Sequence, residues 1–166
     1  AIARQIQSNL FPRALPRVAG LRLAARCLPA RETGGDFYDC MLLDDAAQGG
    51  LLALMVGDAS GKSVPGAMLM AIARSVACSE ARDHVEAAAV LTETNRLVAL
   101  DVPRRSFVAL NYATIQMTDA DQWRVSLASA GQITPILRRR NGRLVELLPP
   151  GPALPLGIAP ETEYEV

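Results

Sequence analysis

Two short stretches decide the fold of this chain: GGDFYD at residues 34–39 and VGDASGKS at residues 56–63. Each stretch places an aspartate, Asp36 or Asp58, beside glycine at the end of a predicted strand. An acidic, glycine-containing turn at 44–50 separates the two strands, and such a short connection predicts an antiparallel hairpin. In that hairpin Asp36 lies opposite Asp58.

Two carboxylates at one edge of a sheet repel each other unless a cation lies between them. Hard divalent ions such as Mg²⁺ and Mn²⁺ take oxygen ligands. Two such ions that share a carboxylate activate water and neutralise a phosphoryl group. Glycine followed by aspartate is also common in ordinary turns. The pattern by itself therefore leaves two interpretations open, a metal site and a pair of turns.

The segment Gly61-Lys62-Ser63 resembles the end of a phosphate-binding P-loop, but the spacing is wrong. A P-loop requires a glycine, four residues and then this triplet. Gly57 leaves only three intervening residues, and Asp58 adds a negative charge to a loop that would cradle phosphates. These features exclude a P-loop.

The remaining pattern predicts an α+β fold, because short turns join most strands and strand and helix do not alternate regularly. Ile2, Ile6 and Leu10 recur at helical spacing, and the apolar run 51–56 predicts a strand buried on both faces. We expect Met68 and Met70 in the core. The predicted helices are 1–10, 66–80 and 85–100; the predicted strands are 21–28, 36–43, 51–56, 107–117, 123–130, 134–139 and 144–147, with a further strand beginning at 161–166.

Composition excludes several classes of protein. The 17 basic and 17 acidic residues balance, so no general affinity for nucleic acid or membranes is expected. The run 138–140 is the one dense basic patch, and before Asn141-Gly142 it indicates a solvated strand end and turn. Three separated cysteines favour a reducing cytoplasm over a disulfide framework, and no apolar run predicts a membrane span or signal peptide.

At the two acidic loops the chain resembles the SpoIIE/RsbU branch of the PPM (type 2C) protein phosphatases. That branch has a GGDFYD-like loop and then a GDxSGKG-like loop that leads into a helix beginning with proline. Weaker matches fall in the same order along the chain, and they are Ile6–Pro12, Phe107, Tyr112, Ala130-Gly131-Gln132 with Pro135, and Pro155–Ile158. The resemblance covers essentially the whole chain.

The resemblance implies a PPM-type β-sandwich of antiparallel sheets flanked by helices, in α-β-β-α layers. It implies a two-metal Mn²⁺ or Mg²⁺ site, in which Asp36 binds one metal, Asp58 bridges both and the carbonyl of Ala59 completes one shell. Metal-activated water would then hydrolyse phosphoserine or phosphothreonine without a covalent intermediate. Residues 1–16 are expected to be a linker helix and turn toward an upstream sensor or receiver domain, and 17–166 the phosphatase domain.

The implied substrate is a phosphorylated anti-anti-sigma (STAS-type) protein, and the linker helix is a candidate site of homodimerisation. The chain departs from the family at Ser63, where a second glycine is usual, at Gln132, where histidine is common, and at Ala109, where threonine is frequent. We expect further metal-binding aspartates beyond Val166, so that the domain lacks its C-terminal strands. The alternative function is a non-catalytic, phosphatase-like signalling and interaction module.

Other polar residues near the loops have simpler interpretations. Asp39, Asp44 and Asp45 are candidate outer metal ligands, but surface turn positions are the favoured expectation. Ser60 and Ser63 have no neighbouring base that would make either of them a nucleophile. We expect both serines to hydrogen-bond within their loop.

Overall fold

The computed structural model describes residues 2–28, 33–43, 50–103, 105–118, 122–151 and 153–166. The elements in chain order are α1 (Ile2–Ser8), β1 (Asp36–Leu42), β2 (Leu52–Ala59), α2 (Ser63–Asp83), α3 (Ala87–Asp101), β3 (Val108–Met117), β4 (Trp123–Ala130), β5 (Ile136–Arg138) and β6 (Leu144–Glu146). None of the helices in these ranges combines the length and apolar character that a membrane crossing requires.

Four strands form one antiparallel sheet in the order β1-β2-β3-β4, and β5 and β6 form a separate two-stranded sheet. The helices α2 and α3 lie in the connection between β2 and β3, which are nevertheless neighbours in the sheet. This arrangement confirms the predicted α+β class.

The inner face of α2 consists mainly of small residues. The buried residues of this helix are Gly66, Leu69, Met70, Ala73, Ala77 and Ala81. Small side chains at helical spacing allow the helix backbone to approach the sheet closely. The predicted core position of Met70 is confirmed, whereas that of Met68 is wrong: its side chain is 62% exposed, because Met68 lies outside the buried side of α2.

On α3 the side chains of Val90, Leu91 and Val98 are fully buried. Asn95 is buried beside them, and its side-chain nitrogen donates to the carbonyl of Ala159 at 2.8 Å. Its side-chain oxygen accepts from the N–H of Gly157 at 2.9 Å. A buried amide thus holds the C-terminal loop against α3.

The predicted strand at 21–28 is wrong. Leu21 and Leu23 are more buried than Arg22 and Ala24, as an extended backbone requires. A strand also needs a hydrogen-bonded neighbour, and none of the described strands pairs with this segment. The expected strand beginning at 161–166 is also not formed; there Tyr164 is buried and its hydroxyl donates to the carbonyl of Leu154 at 2.8 Å.

The two faces of the four-stranded sheet differ. Ala53 and Met55 of β2 belong to the core beneath the helices, whereas Val56 is 55% exposed on the other face. The predicted burial of 51–56 on both faces is therefore wrong at its C-terminal end. Side chains of this second face and of β5 line one cavity of about 550 Å³.

The basic run at 138–140 forms the strand end and turn expected of it. Arg138 ends β5. The N–H of Gly142 donates to the carbonyl of Arg139 at 2.8 Å, with Gly142 at φ 83°. Glycine adopts this left-handed conformation without steric cost.

Candidate metal site

The structure brings the two predicted aspartates together. Asp36 begins β1, Asp58 is the penultimate residue of β2, and the two are direct partners in the antiparallel register. Directly opposed residues of antiparallel strands point to the same face of the sheet. The N–H of Ala59 donates to the carbonyl of Gly35 at 3.1 Å, which joins the two acidic loops.

Gly35 is required by the close approach of these loops. A Cβ atom on Gly35 would overlap the carbonyl oxygen of Ala59 and lie 2.9 Å from Oδ1 of Asp58. Only a residue without a side chain allows this backbone approach. The carbonyl oxygen of Ala59 and Oδ1 of Asp58, both candidate metal ligands, therefore lie beside the same glycine.

The electrostatics of the pair are unfavourable for two free carboxylates. Burial raises the pKa of Asp58, and the negative charge of Asp36 and a hydrogen bond between the two carboxyl groups raise it further. A cation between the two groups would remove this repulsion. Carboxylate and carbonyl oxygens are the donors that Mg²⁺ and Mn²⁺ prefer, so the residues present fit such an ion.

The donor set is nevertheless small. In the part of the chain that the structure describes, no group of three or more His, Cys, Asp or Glu side chains is placed to hold a metal. Asp36, Asp58 and the carbonyl of Ala59 together therefore form only a half-site.

The half-site borders a cavity of about 470 Å³. Its lining includes Asp36, Asp58, Arg26, Cys27 and Gln132. The irregular segment 21–28 thus passes beside the half-site, and the thiol of Cys27 lies 3.7 Å from the backbone oxygen of Asp36. Gln132, at the position where the family commonly has histidine, also faces this cavity.

The loop after Asp58 is held by backbone interactions. The N–H of Ser60 donates to the carbonyl of Phe107 at 2.8 Å, and the hydroxyl of Ser60 accepts from the N–H of Phe107 at 2.8 Å. The hydroxyl of Ser60 is therefore hydrogen-bonded, but its partner is Phe107 before β3 and not a residue of its own loop. Ser63 begins α2 at φ 59°, a conformation that favours glycine.

Asp39 is neither an outer metal ligand nor a surface turn residue. Its side chain points to the face of β1 opposite that of Asp36. It faces α2 and is 7% exposed. Arg74 of α2 forms an ion pair with it, and the thiol of Cys78 donates to it at 3.3 Å. Asp44 and Asp45 lie outside the described residues.

One residue near the half-site was missed from the sequence. Gln7 of α1 is 5% exposed and bonds to the backbone of Gly34. The apolar spacing of Ile2 and Ile6 indicates the wrong buried side for this helix, because both side chains are exposed. No local pattern distinguishes Gln7 from its polar neighbours Ser8 and Asn9.

Comparison with protein families places the chain among known relatives. The family model for Stage II sporulation protein E (SpoIIE) matches residues 48–166, which is more than half of the chain and includes Asp58. The phosphoserine phosphatase RsbU of Bacillus subtilis is 26% identical over 130 residues, 78% of this chain and 36% of that protein. Protein IcfG of a Synechocystis strain is 42% identical over 73 residues, 44% of this chain and 11% of that protein.

Two solved structures share the fold. The RsbU and RsbW domains of Rv1364c from Mycobacterium tuberculosis match with a TM-score of 0.65 and 23% identity, over 82% of this chain and 36% of that one. The PP2C phosphatase domain of SpoIIE from Bacillus subtilis matches with a TM-score of 0.61 and 19% identity, over 79% of this chain and 36% of that one. The chain thus spans about a third or less of these relatives. With the family match and this shared fold, it belongs to the SpoIIE family, in the SpoIIE/RsbU branch of the PP2C-type phosphatases.

Proposed function

We propose that this chain is the phosphatase domain of a metal-dependent protein serine/threonine phosphatase. The observation that carries the proposal is the register pairing of Asp36 with Asp58 at one sheet edge. In the proposed site Asp36, Asp58 and the carbonyl of Ala59 would hold Mn²⁺ or Mg²⁺ ions, with Asp58 shared between the two. The small donor set of the half-site implies that further ligands come from outside the described residues.

The residues of the chain have distinct roles in this proposal. When bound, the metal ions would supply a nucleophilic water and neutralise the phosphoryl charge. Gly35 permits the close approach of the Ala59 carbonyl to the Asp58 carboxylate. The adjoining cavity of about 470 Å³ gives a phosphorylated side chain room to reach the half-site. Ser60 is engaged by Phe107, which supports a mechanism without a serine nucleophile.

The proposed substrate is a phosphorylated anti-anti-sigma protein of the STAS type, in bacterial partner-switching signalling. The relative RsbU is named a phosphoserine phosphatase, and RsbU and RsbW domains occur together in the matching protein from Mycobacterium tuberculosis. By the same resemblance we propose that residues 1–16 link the domain, 17–166, to an upstream sensor or receiver domain. We further propose a cytoplasmic location and homodimerisation through the linker helix.

The test is release of phosphate from a phosphoserine-containing STAS protein, measured with the intact protein and added Mn²⁺. Asp58→Asn should lower the rate by about 100-fold or more, because loss of a bridging carboxylate removes metal affinity and water activation together. Asp101→Asn, at the exposed end of α3, is the matched control and should retain wild-type activity. A wild-type protein without turnover, or an active Asp58→Asn variant, would refute the proposal.

A second candidate is a non-catalytic, phosphatase-like module that binds a partner and transmits a signal. The observations that favour it are the two-carboxylate half-site and Gln132 at its cavity. The same assay separates the two candidates when binding is recorded alongside turnover. Binding of the phosphorylated STAS protein with no release of phosphate at saturating Mn²⁺ would favour the module.

A further inference from the structure

A buried amide side chain connects α1 to the loop before Asp36. The side-chain nitrogen of Gln7 donates to the carbonyl of Gly34 at 2.6 Å. The side-chain oxygen of Gln7 accepts from the N–H of Gly34 at 3.2 Å. The two residues are 27 positions apart in the sequence, and Gln7 is 5% exposed.

This pair of bonds fixes a segment that is otherwise free to vary. Gly34 and Gly35 are consecutive glycines, which have the widest choice of backbone conformation. One amide group that binds both the N–H and the C=O of Gly34 fixes the position and the orientation of that residue. The loop therefore takes its geometry from α1 as well as from its own sheet.

The constraint continues to the half-site through backbone contacts. Gly35 follows Gly34 and accepts a hydrogen bond from the N–H of Ala59 at 3.1 Å. A Cβ atom added to Gly35 would lie 2.9 Å from Oδ1 of Asp58, and Asp36 is the next residue. A shift of Gly34 would consequently move Asp36 relative to both other members of the half-site.

We propose that Gln7 is a positioning residue for the half-site: it sets the separation of Asp36 from Asp58 by holding Gly34. The inference rests on the metal-binding role proposed above for Asp36 and Asp58. It assigns to α1 a direct part in that site. A purely structural role for Gln7 would instead affect the stability of α1 and the exchange of Gly34 alone.

The test compares Gln7→Met, which is similar in length but makes neither bond, with Gln5→Met on the exposed side of the same helix. Two quantities are measured in the intact protein. The first is amide hydrogen exchange at Gly34 and Ala59 without metal. The second is the affinity for Mn²⁺, from its electron paramagnetic resonance signal. If Gln7→Met does not fold, Gln7→Glu, which retains the acceptor for Gly34, takes its place.

We expect Gln7→Met to speed exchange about tenfold at both Gly34 and Ala59, and to weaken Mn²⁺ binding about tenfold. Gln5→Met should match the wild type in both measurements. Faster exchange at Gly34 with unchanged exchange at Ala59 and unchanged Mn²⁺ affinity would overturn the inference. If the wild type binds no Mn²⁺, the proposed metal site fails, and exchange at Ala59 alone decides whether Gln7 controls the half-site geometry.

Discussion

Asp39 and Arg74 form an ion pair between the first strand and the first long helix, on the face of β1 opposite that of Asp36. Asp39 is 7% exposed, and its second oxygen accepts from the N–H of Cys40 at 2.7 Å. The strand that begins the half-site is thereby attached to the helix that follows the Asp58 loop. One short strand thus serves two purposes: its outer face carries a metal-site candidate and its inner face anchors α2.

Loss of one partner from this pair should destabilise the fold. Asp39→Asn leaves the Arg74 guanidinium in a largely buried place without its countercharge, which costs about 3 kcal/mol. The free energy of unfolding, from urea denaturation, measures the effect. Asp101→Asn on the surface should change it by less than about 0.5 kcal/mol. Equal effects of the two substitutions would contradict a stabilising role of the pair.

Cys78 should be unreactive in the folded protein at mildly alkaline pH. Burial and the charge of Asp39 raise the pKa of this thiol to about 12, and only the thiolate is a strong nucleophile. At pH 8.5 iodoacetamide should modify it at least about tenfold more slowly than in urea-unfolded protein. Mass spectrometry of the modified peptide gives the rate, and comparable rates in the two states would refute the prediction.

The same shift has a consequence for stability. In the unfolded chain the thiol of Cys78 loses its proton near pH 8.5, whereas in the folded chain it retains the proton to about pH 12. The unfolded state therefore binds fewer protons in this window, and stability falls as pH rises from about 9. Cys78→Ala should reduce the slope of unfolding free energy against pH between 9 and 10.5.

Ser63→Gly should stabilise the protein. Ser63 begins α2 at φ 59°, which costs a residue with a Cβ about 1 kcal/mol and glycine almost nothing. Thermal unfolding should show a net gain of about 0.5 kcal/mol, because the larger backbone entropy of glycine in the unfolded chain offsets part of the relief. Ser63→Val should have the opposite sign, because a β-branched side chain is the least tolerant of this conformation. A loss of stability in the Ser63→Gly variant would contradict the inferred backbone strain at this position.

Gly35→Ala should damage both the fold and metal binding. The new methyl group would overlap the carbonyl oxygen of Ala59 and approach Asp58, so the two loops must separate, at about 1–3 kcal/mol. Mn²⁺ affinity should fall by at least about tenfold. Gly142→Ala is a useful comparison, because nothing lies within 4 Å of its added Cβ. It should cost about 1 kcal/mol for its positive φ and leave Mn²⁺ affinity unchanged.

Local pattern was sufficient for much of the fold and for the pairing at the half-site. Only residues 43–51 connect β1 to β2 in the sequence, and so short a connection predicts antiparallel neighbours, which made the register pairing of Asp36 with Asp58 predictable. The helices α2 and α3 and the strands β3 and β4 were also predictable within a few residues. The strand predicted at 21–28 is wrong because alternation of apolar and polar residues indicates an extended backbone but carries no information about a hydrogen-bonded neighbouring strand.

The family, the hairpin and the two facing carboxylates follow from the order of residues alone, because each depends on short motifs and on residues close together in the chain. Tertiary structure decided which sides of the helices are buried, the role of Asp39 beneath α2 and the contact of Gln7 with Gly34 across 27 positions. These features depend on how separate elements pack. A residue's neighbours across such distances follow from the close packing of the whole core and not from periodicity within one element.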